Sequence, residues 1–415
     1  MKKNKKQHHI QKKEKTQEVA ANIKVIGIGG GGGNAVARMS KNFIRGVEFI
    51  AINTDHQDLG QCTVRKKIYI GRNLTKGLGT GMNPDLGRQA AEENKSEIAE
   101  ALQGADLVFI AAGLGGGTGS GGAPVIAEVA KQSGALTIAV VTKPFAFEGA
   151  QRDRIAREGL VKLKDKVDAI IVVPNDRIFS VISKDTPIMK AFDAIDDVLR
   201  NALNGIVELI VSPGIINVDF ADVKAIVQDA GVAVIGVGVG AGAERAASAV
   251  NLALNSPLIE ATAEGAKAVL LGISGGRDLR MNEINDAAKM VAQVVDPGAR
   301  IIFGAYHDRN LRPNQVKVTL IATGFNGSQP SSLFSGASDK HQGYGAIGAE
   351  SVHSGDKSKV GADSRRAQIF KSKPEGGSVQ AMVDKSRDGG FSEKAEATKS
   401  DSDWDFPTFL RKKKK

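Results

Sequence analysis

Two glycine-rich segments, each lying between an apolar run and a helical pattern, constrain this chain more than any other feature. The first spans residues 24–36 (KVIGIGGGGGNAV) and the second spans residues 111–122 (AAGLGGGTGSGG). Because glycine has no Cβ, its backbone can approach another group closely, and the amide N–H groups at the start of a helix attract anions. Each segment therefore predicts a strand–loop–helix turn that binds phosphate.

Short apolar runs rich in β-branched residues alternate with helical patterns through the first half of the chain. Strands are predicted at 23–28, 48–53, 107–112, 136–142 and 169–174, and helices at 83–102 and 123–133. This alternation is typical of βαβ units, which build a parallel sheet with helices on both faces and bind ligands at the carboxyl ends of the strands. The fold class is therefore α/β, with a Rossmann-like parallel-sheet domain at residues 22–185.

A long central helix is predicted to follow at residues 186–212. Thr186 and Pro187 match the N-cap and first position of a helix, and apolar residues recur at helical spacing as far as Leu209. About 24 helical residues would span ~36 Å. The alternation then resumes, with strands predicted at 232–238, 268–273, 299–305 and 315–322 and a helix at 243–255. Residues 213–326 are predicted to form a second α/β domain.

The two ends of the chain differ in composition from the middle. Residues 1–21 are a basic extension without an apolar core, and much of the net charge of +10 lies at the two ends. Residues 327–402 are rich in Ser, Gly, Lys and Asp without a period, which predicts a disordered linker. Residues 403–415 hold the only tryptophan and end in lysines, and they predict a docking peptide with a basic end.

Composition also narrows the classes of protein. The single cysteine, Cys62, excludes an intramolecular disulfide framework, and no His or Cys spacing is typical of a zinc site. The longest apolar run, at 232–243, is shorter than the ~20 residues that span a bilayer. No signal-peptide pattern is present, so a cytoplasmic protein is expected.

The first glycine segment leaves alternatives open. Gly27, Gly29 and Gly32 satisfy the G-x-G-x-x-G fingerprint, and Asp55 follows the next strand, so an NAD(P)- or flavin-dependent enzyme is one interpretation. A tight turn without a ligand is another. The second segment, with hydroxyls at Thr118 and Ser120, favours a longer chain of phosphates. A standard P-loop NTPase is excluded because the chain contains no G-K-[ST] sequence.

Several segments together resemble the tubulin/FtsZ family of GTPases, in particular its bacterial cell-division members. They are GGGGGNAV at 29–36, NTD at 53–55, GLGTGMNPDLGRQAAEE at 77–93, GGGTGSG at 115–121, VTKPFAFEGAQR at 141–152, PND at 174–176, NVDFADV at 217–223 and DFPTFLRK at 405–412. The resemblance covers residues 22 to about 325 and the terminal peptide. It implies a tubulin-like fold, binding of GTP or GDP with Mg²⁺, and a GTPase that polymerises into the division ring. A tubulin-like scaffold that does not hydrolyse GTP is the remaining alternative.

The resemblance also implies which residues bind the nucleotide. The expected phosphate-binding residues are Gly30, Gly31, Gly32, Asn34, Gly116, Gly117, Thr118 and Gly119, with Asn53 and Asp55 near the γ-phosphate. Glu148 and Arg152 are expected on the ribose and phosphate side, Phe192 on the base, and Asn175 and Asp197 as the groups that select guanine. Asp196 follows Phe192 by four residues, so the choice between Asp196 and Asp197 stays open. No direct protein ligand is assigned to Mg²⁺, which is expected to be held by the phosphates and water.

Asn217, Asp219 and Asp222 match the catalytic loop of the family. Two carboxylates and an amide could orient and polarise a water, although Asp219 and Asp222 also fit the N-cap pattern of a helix. If Phe192 contacts the nucleotide, the long helix carries the chain ~30 Å away before this loop begins. The loop is therefore expected to reach only the nucleotide of a stacked neighbour, so hydrolysis would require head-to-tail assembly.

The expected partners follow from the same resemblance. The first is a second copy of the chain, in a head-to-tail homopolymer. Membrane adaptors and division regulators are expected to bind Asp405–Lys412, and anionic lipid is expected to attract Lys412–Lys415. The basic ends lack interleaved aromatic residues, so no specific nucleic-acid partner is inferred. The expected location is the division site, on the inner face of the membrane.

Overall fold

The computed structural model of this chain describes residues 21–42, 46–212, 214–255, 263–308 and 311–325. All of these residues lie in one compact unit. The predicted linker and docking peptide fall outside the described residues, as does the basic extension up to residue 20. Within the described ranges, none of the helices combines the length and the apolar character needed to cross a bilayer.

Strands and helices alternate through both halves of the described chain. The strands are β1 (Ile23–Ile28), β2 (Val47–Asn53), β3 (Lys66–Tyr69), β4 (Leu107–Gly113), β5 (Leu136–Lys143), β6 (Ala169–Pro174), β7 (Gly214–Ile216), β8 (Gly231–Val232), β9 (Val234–Ala241), β10 (Ala268–Gly275), β11 (Arg300–His307) and β12 (Gln315–Thr323). The helices are α1 (Gly29–Met39), α2 (His56–Gln61), α3 (Arg72–Thr75), α4 (Pro84–Glu93), α5 (Lys95–Leu102), α6 (Gly117–Gln132), α7 (Ala150–Lys164), α8 (Ile188–Val211), α9 (Phe220–Val227), α10 (Arg245–Leu254) and α11 (Met281–Val294).

The first sheet is parallel and has the strand order β3-β2-β1-β4-β5-β6-β8. Strands β1 and β4 are neighbours, and their last paired residues are Ile28 and Ala112. The two glycine segments that follow these strands therefore begin side by side at the same edge of the sheet. This arrangement confirms the Rossmann-like fold class and explains why two distant segments can form one site.

The second sheet is mixed, with the strand order β7-β11-β10-β12-β9. Only β10 and β11 pair in parallel, and the other neighbours are antiparallel. The strand predicted at 232–238 is divided between the two sheets, because Val232 pairs with β6 and the chain enters the second sheet at Val234. Ala233 continues the apolar pattern between them, so periodicity could not reveal the change of sheet.

Helix α8 joins the two halves, and its 24 residues confirm the predicted long central helix. Its apolar face is buried, including Leu199, Leu203 and Ile206. At its C-terminal end, the carbonyl of Leu209 accepts a hydrogen bond of 3.0 Å from the Tyr306 hydroxyl. A helix leaves its last carbonyls without intrahelical partners, so this bond anchors the end of α8 to the second sheet.

Helix α6 begins at Gly117, six residues before the start of the helix predicted at 123–133. Part of the second glycine segment is therefore helical and packs against α4. A Cβ on Gly121 would lie 1.9 Å from the Pro84 carbonyl oxygen, and a Cβ on Gly87 would lie 2.3 Å from the Gly117 carbonyl oxygen. These glycines permit a close helix contact and do not act only through a ligand.

We expect Gly121→Ala to lower the free energy of unfolding by about 1–3 kcal/mol, because its methyl group would overlap the Pro84 carbonyl in a packed contact. The matched control is Gly33→Ala. Gly33 lies in the glycine-rich helix α1, and a Cβ there would meet no atom within 4 Å. Alanine has a higher helix propensity than glycine, so Gly33→Ala should be as stable as the parent or more stable. Urea unfolding of both variants measures the difference, and equal effects would contradict the packing role of Gly121.

Candidate functional site

A cavity of about 340 Å³ lies at the carboxyl edge of the first sheet, between the two glycine segments and the N-terminal half of α8. Its volume falls in the range of pockets that bind small ligands. Of the residues expected to bind nucleotide, those that line it are Gly30, Gly31, Gly32, Asn34, Gly116, Gly117, Thr118, Gly119, Glu148, Arg152, Asn175 and Phe192. Asn53, Asp55 and Asp197 do not line it, and neither do Asn217, Asp219 and Asp222.

The N-termini of α1 and α6 both open on this cavity. Neither helix has an acidic residue in its first turn, so no side chain of that turn neutralises the positive end of the helix dipole. Gly116 lines the cavity, and a Cβ there would meet no atom within 4 Å, so open space faces the backbone at this position. Two unpaired helix N-termini beside open backbone suit a chain of phosphates.

Other glycines of the same segments are needed for packing. A Cβ on Gly32 would lie 2.3 Å from the Ala111 carbonyl oxygen, and a Cβ on Gly119 would lie 2.4 Å from the Gly113 carbonyl oxygen. Their small size lets α1 and α6 approach β4 closely. The glycines therefore have two roles, since one set lets α1 and α6 pack closely on β4 and the other leaves room for a ligand.

The opposite end of the cavity can receive a planar base. Phe192 lines it and is supported by Phe145, whose ring lies edge-on at 5.8 Å between centroids. The Asn175 side-chain oxygen is buried and has no hydrogen-bond partner in the described structure. A buried acceptor without a partner costs free energy, so this atom indicates that a ligand supplies a donor here.

Asp196 is the carboxylate that lies at this end of the cavity. Its side chain is 15% exposed, and Oδ2 forms an ion pair of 2.6 Å with Nε of Arg38. Burial raises the pKa of Asp196 to about 6, although Arg38 opposes the shift. Asp197 instead pairs with Arg200 at 2.6 Å, and its side chain is 51% exposed. Asp196, and not Asp197, therefore lines the end of the cavity that can receive a base.

Glu148 and Arg152 form an ion pair on the wall of the cavity. Glu148 Oε1 also accepts a hydrogen bond of 2.9 Å from the backbone N–H of Phe145, which fixes the turn before α7. The pair presents charged groups of both signs between the phosphate end and the base end. This placement is compatible with contacts to a ribose and to phosphate.

Asn53 and Asp55 organise the loop beside the phosphate end. Asp55 caps α2 by accepting hydrogen bonds from the N–H groups of Gln57 and Asp58 at 2.9 and 3.0 Å. Asn53 donates from Nδ2 to Asp58 Oδ2 at 2.7 Å. That carboxylate oxygen lies 3.1 Å from the position of a Cβ on Gly30, so Asp58 stands behind the first glycine segment. Burial and the charge of Asp55 raise the pKa of Asp58, and the bond from Asn53 opposes them.

Sequence reasoning missed Arg38, Asp58 and Thr80. Arg38 follows Gly31 and Asn34 at helical spacing, so all three occupy one face of α1, and this periodicity could have indicated it. Asp58 and Thr80 gave no such signal, since Asp58 lies in the short helix α2 and Thr80 in the loop before α4, and only tertiary packing brings them to the glycine segments.

The acidic loop lies at the other end of α8. Asn217 Oδ1 accepts a hydrogen bond of 2.6 Å from the N–H of Gly214, and Asp222 Oδ2 accepts one of 3.4 Å from the N–H of Asp219. The second bond is part of the N-cap arrangement that the sequence indicated as one interpretation. At 1.5 Å per residue, the helix separates Phe192 from the end of α8 by about 28 Å. The structure therefore does not bring the acidic loop to the cavity of the same chain.

Two family models match the chain. The model described as Tubulin/FtsZ family, GTPase domain, matches residues 22–183, and the model described as FtsZ family, C-terminal domain, matches residues 231–326.

Solved structures agree with these matches. An FtsZ dimer from M. jannaschii is 47% identical, with a TM-score of 0.70, over 75% of this chain and 90% of that chain. CetZ2 from Haloferax volcanii is 25% identical, with a TM-score of 0.65, over 75% of this chain and 96% of that chain. CetZ1 from the same organism is 23% identical, with a TM-score of 0.64, over 75% of this chain and 97% of that chain. This match shows a likeness of fold alone.

The parallel sheet, the paired glycine segments and the long central helix define a tubulin-like GTPase. The chain belongs to the tubulin/FtsZ family, and its residues 231–326 match the FtsZ-type C-terminal domain. A GTP-binding cytoskeletal GTPase follows from this membership, and it replaces the alternative of an NAD(P)- or flavin-dependent enzyme.

The raised pKa of Asp196 predicts a pH dependence of stability. Because its folded pKa of about 6 exceeds the unfolded value of 3.8, the native state binds more protons between these values, and stability falls as pH rises through this window. The loss should be about 3 kcal/mol at 1.4 kcal/mol per pKa unit. Asp196→Asn lacks this titration. As the pH rises from about 4 to about 7, the free energy of unfolding of the variant should therefore increase relative to that of the parent. Denaturant unfolding across this range tests it, and a difference that does not change with pH would contradict it.

Proposed function

We propose that this chain is an assembly-dependent GTPase whose subunits stack head to tail, so that the acidic loop of one subunit completes the nucleotide cavity of the next. The observation that carries the proposal is the separation of the two halves of the site. The phosphate-binding backbone lies at one end of α8, and the loop with Asn217, Asp219 and Asp222 lies at the other end, about 28 Å away. A heterologous contact generates a filament when the rotation between successive copies does not close into a ring, and we propose this open form here.

The base end of the cavity supports recognition of guanine. Guanine presents N1–H and N2–H side by side, and one carboxylate can accept both. Asp196 provides that carboxylate, Phe192 stacks on the ring, and the unpartnered oxygen of Asn175 accepts a further donor. We therefore assign the selection of guanine to Asp196 in place of Asp197.

The phosphate end supports binding of a triphosphate. Gly30, Gly31 and Gly116 line the cavity and can donate backbone N–H groups, and Thr118 adds a hydroxyl. Mg²⁺, held by phosphate oxygens and water, would neutralise part of the charge. Among the described residues, no cluster of three or more His, Cys, Asp or Glu side chains could hold a metal by itself.

The acidic loop supports hydrolysis in a neighbouring subunit. Asn217 and Asp219 are exposed, and Asp222 is half-buried at the start of α9. Two carboxylates can orient and polarise a water against a phosphate that is held in place by another chain. The N-cap role of Asp222 is compatible with this one, because a carboxylate has a second oxygen that stays free to accept.

Both ends of α8 also display exposed apolar side chains that a stacking contact would cover. Phe147, Phe179 and Ile188 lie at the nucleotide end, and Ile215 and Phe303 lie near the acidic loop. Exposed apolar patches on soluble domains mark interaction surfaces. The solved relatives agree with such a contact, since one is described as a dimer of FtsZ and another as a protofilament of CetZ2.

We also propose a cellular location for the filament and partners for its tail. Filaments of this chain form the division ring on the cytoplasmic face of the membrane at the future septum. Asp405–Lys412 bind membrane adaptors and division regulators, and Lys412–Lys415 add attraction to anionic lipid. Many weakly binding tails on one filament together give firm attachment.

Complementation between two inactive variants tests the shared site. Asp222→Asn removes the charge of the acidic loop while its amide oxygen can still accept from the N–H of Asp219. Gly116→Val fills the open space at the phosphate end, where a Cβ meets no protein atom within 4 Å. We expect each variant alone to release phosphate from GTP at least about 100-fold more slowly than the parent, as for loss of a group that stabilises the transition state.

An equal mixture of the two variants should recover a substantial part of the activity, because a Gly116→Val subunit can present its intact loop to an Asp222→Asn subunit. The parent protein should also show a rate per molecule that rises with protein concentration. An inactive mixture of variants that each still assemble would refute the shared site. Phosphate release that is absent from the assembled parent would instead support the non-hydrolysing scaffold.

Base selection is tested by pairing Asp196→Asn with the control Asp197→Asn. Xanthine carries an oxygen in place of the N2 amino group, and an asparagine amide can donate to that oxygen. Asp196→Asn should weaken GTP binding about 10- to 100-fold and strengthen XTP binding, as expected for loss of a bidentate contact. Equilibrium binding of GTP, XTP and ATP measures both effects. Asp197→Asn should leave all three affinities unchanged, and the reverse result would return the role to Asp197.

A further inference from the structure

Three threonine hydroxyls from three different segments meet at the phosphate end of the cavity. Thr118 Oγ1 lies 2.7 Å from Thr54 Oγ1 and 3.2 Å from Thr80 Oγ1. Thr54 is fully buried, and Thr80 and Thr118 are each 8% exposed. Thr54 follows β2, Thr80 lies in the loop before α4, and Thr118 lies in the first turn of α6. Thr80 and Thr118 line the cavity, whereas Thr54 lies behind them.

The cluster has three hydroxyl protons but only two hydrogen-bond contacts between its members. Each hydroxyl can donate one hydrogen bond and accept two. The two contacts within the cluster use two of the three protons. Thr54 is fully buried, and Thr118 is the hydrogen-bond partner of its hydroxyl among the described residues, so the Thr54 proton goes to Thr118. One proton, on Thr80 or Thr118, is therefore left to point towards the cavity.

We propose that Thr80 is a positioning residue for the bound phosphate chain, acting through Thr118. This inference rests on the proposed function of the same cavity. When an anion accepts the proton of Thr118, Thr54 and Thr80 both donate to the two lone pairs of Thr118, and every hydroxyl proton of the cluster then has an acceptor. Without an anion, one proton has no partner within the cluster. Phosphate is thus the ligand that completes the network.

The contacts of Thr80 link its hydroxyl to the backbone of two segments at the phosphate end of the cavity. A Cβ on Gly117 would lie 2.2 Å from Thr80 Oγ1, so the hydroxyl rests directly against the start of α6. The Thr80 carbonyl accepts a hydrogen bond of 3.0 Å from the N–H of Asn83, and the Asn83 side chain caps α4. The Thr80 hydroxyl therefore holds the loop before α4 against the segment that carries Thr118. A bound phosphate strengthens this attachment through the shared hydroxyl.

Two substitutions at Thr80 separate the hydroxyl from its packing. Thr80→Val keeps the shape and removes the proton, whereas Thr80→Ser keeps the hydroxyl and removes the methyl group. The matched control is Thr63→Ala, because the Thr63 hydroxyl is exposed and does not line the cavity. Equilibrium binding of GTP, GDP and guanosine to each full-length variant gives the contribution of the phosphates separately from that of the base.

We expect Thr80→Val to weaken GTP binding about 5- to 30-fold, as for loss of one hydrogen bond in a charged network. Its affinity for guanosine should stay within about twofold of the parent, and Thr80→Ser should restore most of the GTP affinity. Thr63→Ala should match the parent for all ligands. In assembled filaments, Thr80→Val should raise KM for GTP more than it lowers kcat.

Equal GTP affinity of Thr80→Val and the parent would overturn the inference, and so would an equal loss of GTP and guanosine binding, which indicates general damage to the cavity. A parent protein that binds ATP as tightly as GTP would contradict the proposed function instead. In that case ATP and adenosine replace GTP and guanosine. A lower ratio of ATP affinity to adenosine affinity in Thr80→Val than in the parent would still support the role of Thr80, and an equal ratio would contradict it.

Discussion

The close approach of two helix N-termini at neighbouring strands is the constraint on which the rest of the structure depends. Strands β1 and β4 pair in parallel and end together at Ile28 and Ala112, and each continues through glycines into a helix. A Cβ on Gly27 would lie 2.3 Å from the Gly32 carbonyl oxygen, so any larger residue would force α1 away from its strand. Because the N-termini of both helices face one cavity, the backbone by itself attracts a multiply charged anion to this site.

In the proposed assembly, helix α8 would make this binding site half of a larger one. Its N-terminal part supplies the base end of the cavity, and its C-terminal end is fixed to the second sheet by Tyr306 and by Lys317, which pairs with Glu208 at 2.8 Å. A rigid spacer of this length keeps the acidic loop away from the cavity of its own chain. In the proposed stacking, the acidic loop of one copy would reach the cavity of the next, so this one helix would link nucleotide hydrolysis to assembly.

Two carboxylates near the cavity are held there at a cost in free energy that neighbouring groups offset. Asp196 and Asp58 are both shielded from water, and burial raises the pKa of each. Arg38 offsets the cost at Asp196, and Asn53 offsets it at Asp58. Such local costs are typical of functional sites, where groups are arranged for a ligand and not for the stability of the empty protein.

The sequence by itself determined the fold class, the long helix and the two glycine segments that line the cavity, because glycine segments, apolar periodicity and the family motifs are local patterns. It did not settle the choice between Asp196 and Asp197: Asp196 follows Phe192 by four residues, but only the packing against α1 shows which of the two carboxylates is buried. It also could not place Thr80 beside Thr118 or divide residues 232–238 between two sheets. These features arise from contacts between segments that are distant in the chain, and the tertiary structure alone decides which faces those contacts bury.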